Sequence, residues 1–174
     1  KPDIGTEVVV IGGGNVAMDV ARSALRISDD IRVSVYCLES PEKIPAHEWE
    51  VREAREEGIS INTSWGPKRI IAKDGAVEAI ELKRCTAVFD ENGKFNPQYD
   101  ETETIRVPAS SVLLAIGQSC DTFCYGDAVR TTRGLVDVDR LTLETSMEGI
   151  FAGGDNVLGP ASLVEAVEHG HRAA

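Results

Sequence analysis

The chain has 174 residues, 18 of them basic and 29 acidic, for a formal charge of −11 at pH 7. That length carries one domain with a real core, or one domain and part of another. The acidic balance argues against nucleic-acid partners and anionic membranes, and no apolar run is long enough to cross a bilayer.

In chain order, Val8-Val9-Val10-Ile11 is short, apolar and β-branched, as a strand buried on both faces should be. The chain then turns through Gly12-Gly13-Gly14-Asn15-Val16-Ala17, which fits G-x-G-x-x-G/A with Ala17 in the last place. Ala17, Val20, Ala21, Ala24 and Leu25 recur at helical spacing. Strand, glycine turn and helix follow without a gap, which is the context a dinucleotide motif requires. Gly12 permits the bend, Gly14 lets a pyrophosphate reach the backbone, and small Ala17 lets helix and strand pack closely. The first amides, at Asn15 and Val16, then point at the phosphates, and the helix dipole favours their charge. The competing explanation is an ordinary glycine-rich turn, and the flanking elements count against it.

Ser28 to Asp30 reads as a turn, and Ile31 to Leu38 alternates as a second strand. Glu39 follows it, about 20 positions beyond the glycines, where an acid meets the adenosine ribose. A carboxylate there accepts from both ribose hydroxyls and repels a 2′-phosphate, so NAD(H) is favoured over NADP(H). The plainer alternative for Glu39 is an exposed charge at a strand end.

Pro41 to Pro45 is a loop, Ala46 to Glu57 a charged helix stopped by Gly58, and Ile59 to Ile61 a third strand. From about residue 66 to 108 the pattern becomes a three-stranded antiparallel meander. It runs from Lys68 through a tight turn at Asp74-Gly75 to a return strand over Ala76 to Phe89. A turn at Asp90 to Gly93 and an acidic stretch lead to the last strand, Glu103 to Val107. Ser111 to Gly117 is again continuously apolar, hence read as buried and parallel. Ligands of open α/β sheets sit beyond the carboxyl ends of strands, so Ala115, Ile116 and Gly117 should lie beside the nucleotide.

From Gln118 the pattern leaves the doubly wound unit. Gly134 to Asp139 and Ile150 to Ala152 read as short strands, the second ending in Gly153-Gly154-Asp155. Ala161 to His169 is helical, with Leu163, Val164 and Val167 on one side. The expected organisation is a Rossmann-like α/β domain, a doubly wound parallel sheet over residues 1–118 with the meander inserted, followed by a partial domain over 119–174. With Lys1 first and a truncated-looking helix last, the chain reads as an excised piece. Cys37, Cys85, Cys120 and Cys124 form no C-x-x-C pair and no metal set, which suggests reduced thiols in the cytoplasm. His169 and His171, two apart on a helix, are poor joint ligands and are expected at the surface or helix end. No catalytic side chain and no metal ligand is assigned.

Four stretches carry a family resemblance: VVVIGGGNVAMDVAR, IPAHEWEVREAREEGI, LLAIGQ and TSMEGIFAGGDNVLGPASLVEAVEHGHRAA. Together they resemble the nicotinamide-nucleotide domain and C-terminal flavin segment of the glutamate synthase small-subunit group. That group includes the related part of dihydropyrimidine dehydrogenase, within the pyridine nucleotide-disulfide oxidoreductase superfamily. The resemblance implies an NAD(P)H-dependent flavoprotein oxidoreductase passing hydride between nicotinamide and FAD. It places Gly154 and Asp155 at the ribityl–pyrophosphate of FAD, with the amides of Ser162 and Leu163 facing the flavin. It further implies an N-terminal FAD and iron–sulfur portion, and an electron-acceptor subunit as partner. Family members that use NADP carry paired arginines where this chain has Leu38 and Glu39, which again favours NAD. Two alternatives stand beside this: an NAD(H)-sensing domain without turnover, and a thioredoxin-reductase-like enzyme using Cys120 and Cys124.

Overall fold

The β-branched run from Val8 forms β1 (Glu7–Ile11), and its place in the sheet explains its composition. In the computed structural model, which describes residues 3–174, β1 has a neighbour on each edge of a four-stranded parallel sheet. The order is β3-β2-β1-β7, with β2 at Arg32–Tyr36, β3 at Ser60–Asn62 and β7 at Ser111–Leu114. Both faces of β1 are covered. Val8 and Val10 pack toward α1 (Asn15–Leu25) and α2 (Glu48–Glu56), in a core shared with Met18, Ala21, Val35 and Val51. Val9 and Ile11 point the other way, as alternation requires, into a second core with Tyr36, Ile80, Leu82 and Ala109.

That second face is covered by strands. The meander is a three-stranded sheet in the order β4-β5-β6, with β4 at Trp65–Lys73, β5 at Ala76–Phe89 and β6 at Phe95–Pro108. Asp74 and Gly75 turn the first hairpin with φ of 52° and 82°, the doubly left-handed geometry that matches strand twist. β6 starts at Phe95 rather than Glu103, so the acidic stretch is strand and not loop. Its carboxylates pair across the ladder, Glu101 with Lys83 at 2.7 Å and Glu103 with Arg84 at 3.2 Å. Opposite charges on facing strands stabilise such a pair without burial.

Other boundaries moved as well. β2 ends at Tyr36 instead of Leu38, and α2 starts at Glu48 instead of Ala46. The apolar run at Ser111 was expected to be buried, but β7 is the edge of the sheet and Leu114 is 64% exposed.

The chain divides after Gly117, and Gln118–Ala174 forms a second unit. It contains a small hairpin of β8 (Thr131–Thr132) and β9 (Leu135–Val136), then α3 (Asp155–Leu158) and α4 (Leu163–Ala173). The expected strand at Ile150 is reduced to one antiparallel bridge, Glu144 to Phe151. Among the described residues no helix is long and apolar enough to cross a membrane.

Leu82 is fully buried in the seam between the two sheets. Leu82→Ala should lower stability by about 2–5 kcal/mol, the usual cost of deleting buried methyl groups plus the cavity left behind. Urea unfolding measures it, and a loss below about 1 kcal/mol would show that the meander lies outside the cooperative core.

Candidate functional site

The glycine turn between β1 and α1 is held from three directions. The Gly12 amide donates to the Tyr36 carbonyl at 2.9 Å, at the carboxyl end of β2. Gly12 has φ of +140°, and a Cβ there would stand 2.2 Å from the Ala115 carbonyl oxygen, so only glycine fits against β7. The Gly13 carbonyl accepts from the Ala46 amide at 2.9 Å, and the Asn15 side-chain oxygen accepts from the His47 amide at 2.9 Å. The Asn15 side chain thus ties the turn to the start of α2.

Gly14 differs from its neighbours. A Cβ added there would meet nothing within 4 Å, so its openness faces away from the protein. As the N-cap of α1 it offers no side-chain bond, and the first turn of α1 holds no acidic residue. The other long helices are unlike it: α2 carries Glu48 and Glu50 in its first turn, and α4 carries Glu165. α1 is therefore the helix whose opening amides and positive dipole end are left for an external anion. Val16, in that first turn, is 64% exposed. These features fit a pyrophosphate.

Glu39 comes back to the same turn, since a Cβ on Gly13 would lie 2.9 Å from its Oε2. Beyond the end of β2 opens a cleft of about 300 Å³ whose lining includes Glu39, Ser40, Lys43, Ser64, Cys85 and Phe89. Ser40 and Lys43, beside Glu39 in sequence, had not been singled out. The β5 wall could not have been, because it reaches the cleft only through the meander's packing across the sheet. Ala115, Ile116 and Gly117 follow β7, and the Ala115 amide donates to the Ile11 carbonyl at 2.8 Å. Ile116 is 70% exposed.

In the second unit Gly154 is the N-cap of α3, with φ of 65°, and Asp155 opens that helix. α4 begins with a reciprocal cap: the Ser162 hydroxyl accepts from the Glu165 amide, and Glu165 Oε2 accepts from the Ser162 amide at 2.8 Å. The Ser162 amide, expected to face a flavin, is committed to Glu165 here. The Ser162 hydroxyl also donates to Glu165 Oε2 at 2.7 Å, and that bond, followed by the one from the amide, holds the Glu165 carboxyl below the usual carboxylate range. His169, expected near the surface, is buried, because Gly153 leaves room for its ring against the turn.

All four cysteines are free. Cys120 Sγ faces the Asp155 carbonyl at 3.6 Å, whereas Cys124 Sγ faces the Asp121 carbonyl at 3.8 Å. Burial, then the Glu39 carboxylate, push the Cys37 thiol up to about 12, and burial raises Cys85 as well. The thiolate is the nucleophile, so Cys37 should resist iodoacetamide at pH 8 in the folded chain while exposed Cys124 reacts. Mass spectrometry of a labelling time course checks this, and early modification of Cys37 would contradict the packing at the end of β2.

The model of the family described as pyridine nucleotide-disulphide oxidoreductase matches residues 1–170. The chain is 40% identical over 172 residues to the NADP(+)-dependent formate dehydrogenase subunit beta of Moorella thermoacetica, covering 98% of this chain and 24% of that protein. It is 33% identical over 177 residues to the glutamate synthase [NADPH] small chain of Azospirillum brasilense, covering 98% of this chain and 36% of that one. It therefore spans about a quarter to a third of these relatives. In fold it is similar to T. acidophilum thioredoxin reductase, with a TM-score of 0.76 at 23% identity over 98% of this chain and 51% of the other. By its sequence, the chain belongs to the pyridine nucleotide-disulphide oxidoreductase family.

Proposed function

We propose that the chain is the nicotinamide-holding and part of the flavin-holding module of an NAD(P)H-dependent flavoprotein oxidoreductase like the glutamate synthase small subunit. The observation that carries this is the bare start of α1, with open space at Gly14 and Glu39 behind Gly13. When bound, the two cofactors would supply hydride transfer between nicotinamide and flavin, which depends on alignment and exclusion of water. The chain's own residues bind and orient. The amides of Asn15 and Val16 face the pyrophosphate, Glu39 takes the adenosine ribose, and Ala115 to Gly117 border the nicotinamide half. Gly154 and Asp155 hold the ribityl–pyrophosphate part of FAD, with the Leu163 amide, rather than that of Ser162, toward the ring. No side chain is given an acid or base role, because hydride transfer needs none. The remainder of the flavin site belongs to the parent protein, and an electron-acceptor subunit is its partner; the relatives' names, with their beta subunit and small chain, agree with such an assembly. Four unpaired thiols support a cytoplasmic setting.

Between the two nucleotides, we assign NADH on the strength of Glu39, whose charge opposes a 2′-phosphate. A second reading has its own support. The relatives named above carry NADP(+) or NADPH in their names, and Ser40 and Lys43 in the same cleft suit a phosphate.

Paired fluorescence titrations with NADH and NADPH test both levels. NADH should bind at least about tenfold tighter, a difference of about 1.4 kcal/mol. A preference for NADPH would overturn the assignment to NADH and leave the site standing. Gly14→Ser tests the site itself. Serine is a good N-cap and meets no protein atom there, so thermal stability should be kept. Its hydroxyl would occupy the phosphate's approach, and affinity should fall about tenfold or more. Unchanged binding by a folded Gly14→Ser variant would remove the glycine turn from the site.

A further inference from the structure

His169 lies on α4 with only 7% of its surface exposed, and among the described residues it is the one polar side chain buried to that degree. Its Nδ1 accepts the amide proton of Gly154 at 3.1 Å. The ring lies directly against the turn, since a Cβ on Gly153 would come within 2.7 Å of His169 Cβ and 3.3 Å of Nδ1. One turn earlier on α4, Ala166 supports the next residue, with a Cβ on Gly154 falling 3.3 Å from its own Cβ. The Gly153-Gly154 turn therefore rests on one face of α4 and is pinned by a single imidazole hydrogen bond. Asp155 follows immediately, so this bond fixes where its backbone and carboxylate begin.

A neutral imidazole has one N–H and one lone pair. With Nδ1 accepting, the proton sits on Nε2, which lies 3.7 Å from Glu168 Oε2. Glu165, one turn back, and Glu168 are the anionic neighbours on α4, and Arg172 pairs with Glu168 at 3.1 Å. From α3 the nearest ionisable side chain in sequence is Asp155 itself. Protonating Nδ1 would set one N–H against another in a buried place, leaving the Gly154 amide without its acceptor.

We propose that His169 is a positioning residue for the flavin-holding turn: its Nδ1 lone pair sets the Gly154 amide and hence Asp155. This rests on the assignment of Gly154 and Asp155 to FAD. It makes flavin retention depend on one buried imidazole acceptor on α4.

The test measures FAD affinity of the full-length flavoprotein by flavin fluorescence at pH 8. His169→Leu removes the acceptor and should bind about tenfold more weakly, the scale of one buried amide losing its partner. His169→Asn places an amide oxygen where Nδ1 was and should restore wild-type affinity. An Asn variant as weak as the Leu variant, or a Leu variant with wild-type affinity, would overturn the proposal. Asp155→Ala separates the two levels, because unchanged FAD affinity there overturns the flavin assignment itself. Nitrogen-15 NMR of the 174-residue chain gives a readout independent of FAD and of any variant's folding. Nδ1 should resonate as the unprotonated nitrogen, and the Gly154 amide should show the coupling of a hydrogen bond to it. A protonated Nδ1 at pH 8 would refute the proposal directly.

Discussion

The structure is organised by a conflict between backbone chemistry and ligand access at one corner. An α-helix begins with amides that have no internal partner, and most helices satisfy them with a side chain or offset them with an acid. α2 and α4 have acids in the first turn, and α4 adds a complete reciprocal cap. α1 has neither, yet it packs Ala17, Met18 and Ala21 completely out of solvent. Its opening turn is paid for by rigidity instead: Gly12 is locked against Tyr36 and Ala115, and Gly13 against Ala46. The immediate neighbours of the bare amides are thus backbone atoms held by two strands and a helix entry.

The meander acts on this corner from the opposite face. By burying Ile80 and Leu82 against Val9, Ile11 and Tyr36, it lets β1 be apolar on both faces without a second layer of helices. The same strand, β5, continues past the sheet to Cys85 and Phe89, which wall the cleft beyond Glu39. A structural covering layer and one side of the candidate adenosine site are therefore a single element. Core substitutions in β5 are expected to couple to the shape of that cleft, because both depend on the register of Ile80 and Leu82.

What could be read from sequence follows from where each signal originates. β1, the glycine turn and α1 were legible because their apolar pattern and glycine spacing are local, and so was the Asp74-Gly75 hairpin. β6 was legible only over its second half, Glu103 to Val107. Its earlier residues Asp100 and Glu101 carry the composition of a loop, and only the facing cations of β5 and the ladder make them strand. β7 misled in the other direction: a continuous apolar run implies burial on both faces, but the strand lies at the sheet edge. Glu39 is marked in the sequence by its distance from the glycines, whereas nothing local marks Ser40 and Lys43, which line the same cleft.

α4 shows the sharpest inversion. Its apolar stripe, Leu163, Val164 and Val167, has the spacing of a core face, yet Leu163 is 81% exposed and Val164 76%. The face that does pack carries Ala166 and His169, residues that hydropathy would rank behind any of those three. The reason lies in the partner surface. Gly153 and Gly154 present bare backbone, so the opposing helix needs a small residue to let it approach and an acceptor for the buried amide. Alanine meets the first need and a neutral histidine the second. A leucine in place of His169 would fill the volume and strand the Gly154 proton, which is why a polar residue is buried here while larger apolar ones are not.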